Sequence, residues 1–168
     1  MDLLIIRHAP AEQREAFART GRPDSERPLT DEGRKKMTRA ARGLAAVVPT
    51  LDALVTSPFT RAVETAEIVA RQYEGLEPEP LDTLASGGQR ANLLPWLRKR
   101  RRATALAVVG HAPDLDELGA WLVTGTPEPL FQLKKGGACL LRFPGAPDPG
   151  AATLRWLLTP AVLRALGA

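Results

Sequence analysis

The chain contains only two histidines, His8 and His111. Each directly follows a short apolar run. Leu3-Leu4-Ile5-Ile6 leads through Arg7 to His8, and Leu106-Ala107-Val108-Val109 leads through Gly110 to His111. Each is followed by Ala-Pro. A continuous apolar run of this length reads as a strand buried on both faces. In open parallel sheets, ligands gather beyond the carboxyl ends of the strands. Both imidazoles are therefore expected at the one sheet edge where chemistry takes place. Imidazole is also the side chain whose charge changes nearest neutral pH.

Two arginines belong with them. Arg7 adjoins His8. The segment Thr56-Ser57-Pro58-Phe59-Thr60-Arg61 follows a further strand candidate. Ser57 reads as the N-cap and Pro58 as the first residue of a helix, which puts Arg61 in its first turn. Helical side chains lean toward the N-terminus, so Arg61 reaches back over the strand end. Two guanidiniums and two imidazoles in one small volume repel each other when empty and become favourable around a dianion. Arginine offers planar paired donors that match phosphate oxygens. Helix N-termini near Ser57 and Pro113 add positive dipole ends. A phosphoryl group is the ligand that fits best.

Other candidates carry less. No His/Cys/carboxylate spacing supports a metal site. Ser57 lacks the Gly-x-Ser-x-Gly elbow of a triad nucleophile. Gly87-Gly88 and Gly136-Gly137 do not form a phosphate loop, and the second pair reads as a turn before a strand. Cys139 lies inside an apolar strand and reads as packing, as do Trp96, Trp121 and Trp156. The basic run Arg98-Lys99-Arg100-Arg101-Arg102 reads as a solvated last helical turn. No aromatics interleave it, which disfavours a nucleic-acid partner.

The elements that must position the four residues follow from the pattern. Thr30 caps a helix with Asp31 and Glu32 in its first turn. Met37, Ala40, Ala41, Leu44, Ala45 and Val48 form its apolar face, and Pro49 stops it. Leu51–Val55 is a strand. The helix after it packs through Ala62, Ala66, Val69 and Tyr73. A short extended piece is expected around Pro80–Leu84. Leu93, Leu94 and Leu97 mark a helix ending in the basic run, Ala105–Val109 a strand, and 113–123 a helix. Ala138–Phe143 and Thr153–Leu158 form a hairpin, and a helix over 160–166 closes the chain. This alternation predicts an α/β three-layer sandwich with a mostly parallel central sheet and an antiparallel edge hairpin.

Composition bounds the rest. The chain has 168 residues, 44% hydrophobic and 25% charged, with a formal net charge of +4. That is near the globular average, and a disordered chain needs fewer apolar residues. The length fits one domain, residues 1–168, with no repeat or boundary. No stretch approaches the roughly 20 apolar residues of a membrane helix, and the N-terminus lacks signal-peptide features. One cysteine cannot form an internal disulfide, and a reducing cytoplasm is expected.

Three segments in order resemble the histidine phosphatase superfamily, which has the phosphoglycerate mutase-like fold: Arg7-His8-Ala9, then Ser57-Pro58-x-x-Arg61-Ala62-x-Glu64-Thr65-Ala66, then Gly110-His111. Arg27-Pro28-Leu29-Thr30-x-x-Gly33 and the short length resemble its SixA-like phosphohistidine phosphatase branch. The resemblance implies that His8 is a nucleophile forming a phosphohistidine intermediate. It implies that Arg7 and Arg61 bind the phosphoryl oxygens and that His111 stabilises the transferring group. It implies no metal or other cofactor.

The chain departs from the family pattern in two places. Ala9 stands where glycine is commonest. The stretch in which many members carry a carboxylic acid reads Leu84-Ala85-Ser86-Gly87-Gly88-Gln89. A general acid is worth roughly 10²–10⁴-fold, most of all for an alkoxide leaving group. The imidazole of phosphohistidine can leave neutral, its conjugate acid having a pKa of about 6.5. The expected substrate is therefore phosphohistidine on a phosphorelay protein of the histidine-phosphotransfer type. Small phosphate esters or phosphoserine/threonine are an alternative, with Glu12, Asp82 or Asp114 as acid. A non-catalytic phosphate-binding module, or a basic adaptor using residues 98–102, is a further alternative. Residues 9–28 are the segment that could fold over the site. Few residues remain for any other lid, and an open site suits a protein-borne phosphohistidine.

Overall fold

A buried sheet edge is the feature that organises this molecule. The computed structural model describes residues 1–87 and 90–168. Strand β1 (Asp2–Arg7) and strand β4 (Ala105–Gly110) lie side by side and parallel at the centre of a six-stranded sheet. On one outer side of β4 come β2 (Ala53–Thr56) and then β3 (Pro78–Pro80), both parallel to it. On the other side, β5 (Ala138–Arg142) runs antiparallel to β1 and pairs with β6 (Thr153–Leu158) as the edge hairpin. The spatial order is β3-β2-β4-β1-β5-β6.

Strand residues alternate between two cores, as a period of two dictates. Leu4, Ile6, Ala107 and Val109 pack against helices α2 (Asp31–Val47), α3 (Thr60–Ala70) and α6 (Pro160–Leu166). Leu3, Ile5, Leu106 and Val108 pack against α4 (Leu93–Lys99) and α5 (Asp114–Thr124) on the opposite face. Leu3 to Ile6 and Leu106 to Val109 are wholly buried, which is why their sequence is continuous rather than alternating. The expected α/β three-layer architecture is the one observed.

The local readings hold with definite exceptions. Thr30 caps α2, its hydroxyl accepting the Gly33 N–H at 2.9 Å. The hairpin and the last helix fall where the pattern puts them. The extended piece, however, is Pro78–Pro80, and Asp82–Leu84 is a single tight turn. Ser57 does not cap α3: the helix begins at Thr60 with Phe59 as N-cap. A short helix α1 (Arg14–Ala18) and a turn at Asp24–Glu26 were not foreseen. The basic run does end α4, where Arg98 pairs with Asp148 and Arg100 with Glu79 at 3.3 Å. Cys139 is fully buried in β5, and burial pushes its thiol far above the ordinary range. No helix among the described residues is long and apolar enough to cross a membrane.

Candidate active site

The parallel pairing of β1 and β4 places Arg7 directly opposite Gly110. The next residue on each strand is a histidine, so the two imidazoles emerge as neighbours. Their ring centroids lie 5.1 Å apart. They are 6% and 4% exposed, for His8 and His111 respectively. β2 adds the third strand end. The Ser57 N–H donates to the Val109 carbonyl at 2.9 Å, which brings the start of α3 beside His111. Phe59 packs on His111 with centroids 5.1 Å apart, and the Arg61 guanidinium lies 5.1 Å from the Phe59 ring. Arg7, His8, Arg61 and His111 line one cleft of about 370 Å³.

The tautomer of His8 follows from its partner. Its Nδ1 lies 2.7 Å from the Ala9 carbonyl oxygen, which can only accept, so Nδ1 carries the proton. Nε2 is then the lone-pair nitrogen. The Ala9 peptide is itself held: its N–H donates to Thr65 Oγ1 at 3.0 Å, and Thr65 donates to the Arg61 carbonyl at 2.7 Å. Pro10 is fixed next in line, its carbonyl accepting from Thr30 N–H at 3.1 Å. Gly33 is required there, because a Cβ would collide with the Pro10 carbonyl. Burial lowers the His8 pKa to about 3, with the charges of Arg61 and Arg7 adding to it. The ring is neutral at pH 7.

His111 takes the opposite arrangement. Its Nε2 lies 2.8 Å from Ser57 Oγ. Ser57 Oγ already accepts the Phe59 N–H at 3.3 Å and is fully buried, so its own proton is free to go to Nε2. Nδ1 then carries the His111 proton. Burial and the Arg61 charge lower the His111 pKa to about 4, so this ring too is a neutral donor. Ser57 was read as a helix cap because Ser-Pro before an apolar face mimics one. The helix begins at Thr60, and the Ser57 hydroxyl serves the histidine as well as the Phe59 N–H.

The arginines are held by their outer nitrogens. Arg7 Nη1 donates to the Leu133 carbonyl at 2.6 Å, and the Leu133 N–H donates to buried Asp116 at 2.9 Å. Arg61 Nη1 donates to the Asp24 carbonyl at 2.8 Å, and Nη2 meets the Asp24 carboxylate at 3.1 Å. What remains is informative. Four buried side-chain polar atoms among the described residues have no partner: Arg7 Nε, Arg61 Nε, His111 Nδ1 and Trp96 Nε1. Three of the four are donors on the cleft residues. Buried donors are normally satisfied, so three orphans in one cleft mark a place built for an anion with several acceptor oxygens.

Residues 9–28 form a side wall. Glu12 N–H donates to the Pro28 carbonyl at 3.0 Å, clipping the root of the loop. Glu12, Gln13, Arg14, Glu15 and Arg27 line the cleft from it. Asp24 sits at the hub of the wall, meeting Arg27 at 2.8 Å, Arg61 at 3.1 Å and Arg14 at 3.7 Å. Together these charges hold its carboxyl below the ordinary range despite partial burial. Lys135 closes the far rim. Sequence reasoning missed Ser57 as a partner of His111, and also Asp24, Arg27, Thr65, Asp116 and Lys135. Ser57, Arg27 and Thr65 left a signal, as members of the quoted motifs, and the other three did not. Of the carboxylates considered as acids, Glu12 lines the cleft, whereas Asp114 accepts the Gly87 N–H at 2.9 Å. In the stretch at 84–89, Ser86 lines the cleft and Gly88 and Gln89 lie outside the described residues. No group of three metal-ligating side chains occurs among the described residues.

This geometry coincides with a family model. Residues 3–86 match the model of the histidine phosphatase superfamily (branch 1), and the chain belongs to that family. Among its relatives is an uncharacterized protein of Picosynechococcus sp. strain PCC 7002. It is 34% identical over 144 residues, covering 84% of this chain and 85% of the relative. Among solved structures, the protein histidine phosphatase SixA complexed with tungstate superposes with a TM-score of 0.81. The two are 25% identical, over 97% of this chain and 99% of that one. The α-ribazole phosphatase from Shigella flexneri shares the fold, with a TM-score of 0.74 at 18% identity, over 95% of this chain and 97% of that one.

Proposed function

We propose that this protein, as one domain over residues 1–168, hydrolyses phosphohistidine on a partner protein through a covalent intermediate on His8. The observation that carries the reaction is the neutral His8 ring, its proton fixed on Nδ1, among three buried donors without partners. His8 Nε2 attacks phosphorus as the bond from phosphorus to the substrate nitrogen breaks. The departing imidazole keeps that electron pair and, with its distal nitrogen protonated, leaves neutral. The Ala9 carbonyl steadies the positive charge that His8 acquires. Arg7 Nε, Arg61 Nε and His111 Nδ1 hold the phosphoryl oxygens, and Ser57 and Asp24 position His111 and Arg61. Water then attacks phosphorus, the pair returns to Nε2, and both protons of water leave on dihydrogen phosphate. Such transfer needs mainly positioning and charge stabilisation, and the covalent route divides one displacement into two.

Two features support phosphohistidine over an ester. No carboxylate occupies the stretch at 84–89, and the similar SixA structure is described as a protein histidine phosphatase. The presence of Glu12 on the cleft wall favours the ester reading, because a carboxyl there would protonate an alkoxide. A substrate panel decides between them. Phosphohistidine peptide is expected to turn over with kcat/KM at least 10²-fold above phosphoserine peptide and sugar phosphates. The reverse order would contradict the assignment, and binding of phosphate without turnover of any substrate would contradict catalysis.

A further inference from the structure

Helix α2 carries Lys35, Arg39 and Arg42 at i, i+4 and i+7, so one stripe of the helix is cationic. All three are exposed. Helix α6 adds Arg164. The two helices pack very closely: a Cβ at Gly43 would collide with the Leu163 carbonyl, and one at Gly167 with the Arg39 carbonyl. Among the described residues, Lys35, Arg39, Arg42 and Arg164 form no ion pair, while Lys36 meets Glu32 at 3.1 Å. Like charges at this spacing on a helix are unfavourable, and the fold places a further cation, Arg164, beside them, while Glu32, the acid that lines the same depression, is paired with Lys36. The intrinsic stability of α2 does not account for the stripe.

The stripe is continuous with the cleft. Its cations line a surface depression of about 530 Å³. Lys36 and Arg164 are shared between this depression and a neighbouring groove of about 220 Å³. That groove is floored by Met37, Ala40 and Pro160 and ends at Lys135, which also lines the rim of the cleft. Burial and then the charges of Arg7, Arg27 and Arg61 act on Lys135, so the cations of the groove adjoin those of the cleft. The path thus combines cations, most of them without an ion pair, with the apolar floor of the groove, the composition of a docking surface rather than of a small-molecule pocket.

We infer that the α2–α6 face, joined to the cleft through Lys36, Arg164 and Lys135, docks an acidic surface of the phosphorylated substrate protein. The inference takes the protein-borne phosphohistidine proposed above as its premise. Cations along the approach would raise the encounter rate and fix the register in which the phosphorylated residue enters. The 17 residues of α2 span about 25 Å, a distance that 12 extended residues of a partner (about 40 Å) cover.

The test uses two 12-residue peptides bearing a non-hydrolysable phosphotriazolylalanine, one flanked by glutamates and one by serines. The wild-type protein is expected to bind the glutamate peptide at least tenfold tighter at low salt. The charge reversal K35E/R39E/R42E is expected to abolish that preference while hydrolysis of phosphoimidazole stays within twofold of wild type. The milder K35A/R39A/R42A should reduce the preference several-fold. Equal affinity of the wild type for both peptides would overturn the inference, as would a preference that survives charge reversal. Tighter binding of a 12-nucleotide single strand than of the glutamate peptide would overturn it in favour of nucleic acid. Failure of the wild type to hydrolyse any phosphohistidine peptide would instead sink the function proposed above. The binding comparison, made with the inert mimic, decides the docking face in either case.

Discussion

The two walls of the cleft are built differently. The floor comes from the ends of β1, β4 and β2, strands buried over Leu3–Ile6, Ala105–Gly110 and Leu54–Thr56 and locked in one register, and it presents His8, His111 and Ser57. The side wall comes from residues 9–28, a loop with one short helix, clipped at its root and centred on the Asp24 ion pairs. Groups on the floor are fixed by the core, and no local change moves them without moving the sheet. Groups on the wall are fixed by charge pairs at a half-exposed site, where such pairs are individually weak. In our account the floor performs the chemistry, and the wall selects and grips what enters. Substitutions on the floor should act on kcat, and those on the wall on KM.

The sharpest break of that division is His8→Ala. Turnover should fall by about 10⁴-fold or more, because the covalent route is lost. Residual rates above a thousandth of wild type, measured with phosphohistidine peptide, would place the nucleophile elsewhere. His111→Ala should lower kcat by about 10²–10³-fold, the usual loss of one donor to a developing charge, with KM changed far less. A rise in KM alone would move His111 from the floor to the wall in function. Arg27→Gln on the wall removes the 2.8 Å bond to Asp24 and should raise KM about tenfold while kcat stays within twofold. A fall in kcat of the same size would erase the distinction.

A smaller effect sharpens the account of the floor itself. Ser57→Ala should lower kcat several-fold. It should also shift the His111 proton from Nδ1 to Nε2, read from the ring ¹⁵N shifts, and Ser57→Thr should restore both. An unchanged tautomer in Ser57→Ala would show that Ser57 only fills space. The least effect is on stability. Both histidines have folded pKa values, about 3 and about 4, below their unfolded value. The unfolded chain therefore binds more protons as pH falls below about 6.5, and stability declines over that window by up to about 1.4 kcal/mol per unit for each ring. Urea midpoints at pH 7.5 and 5.5 should differ in wild type and differ less in His111→Gln.

The division between floor and wall also explains what the sequence disclosed. Arg7, His8, Arg61 and His111 were legible because apolar runs announce buried strands, and each histidine terminates such a run. Parallel pairing then leaves one edge on which they can meet. The helix and hairpin positions were legible for similar reasons, through caps, spacing and turn residues. The wall was not. Asp24 reaches Arg61, and Lys135 the cleft, only through tertiary closure of loops, and no local periodicity encodes it. Ser57 was misread because its neighbours satisfy the local rule for a cap, whereas α3 begins three residues later and the Ser57 hydroxyl, while accepting the Phe59 N–H, donates to the Nε2 of His111, 54 positions away. Asp116 was missed because it faces Leu133, a contact between α5 and a segment without regular structure.

The central claim is that His8 Nε2 takes the phosphoryl group. Rapid acid-free quenching of wild-type protein with labelled phosphohistidine peptide, followed by peptide mass spectrometry, tests it directly. One phosphate is expected on the peptide containing His8, stable to alkali, lost in acid, and absent from His8→Ala. A phosphate on any other residue, or turnover at full rate with no phosphorylated species within the dead time, would contradict it.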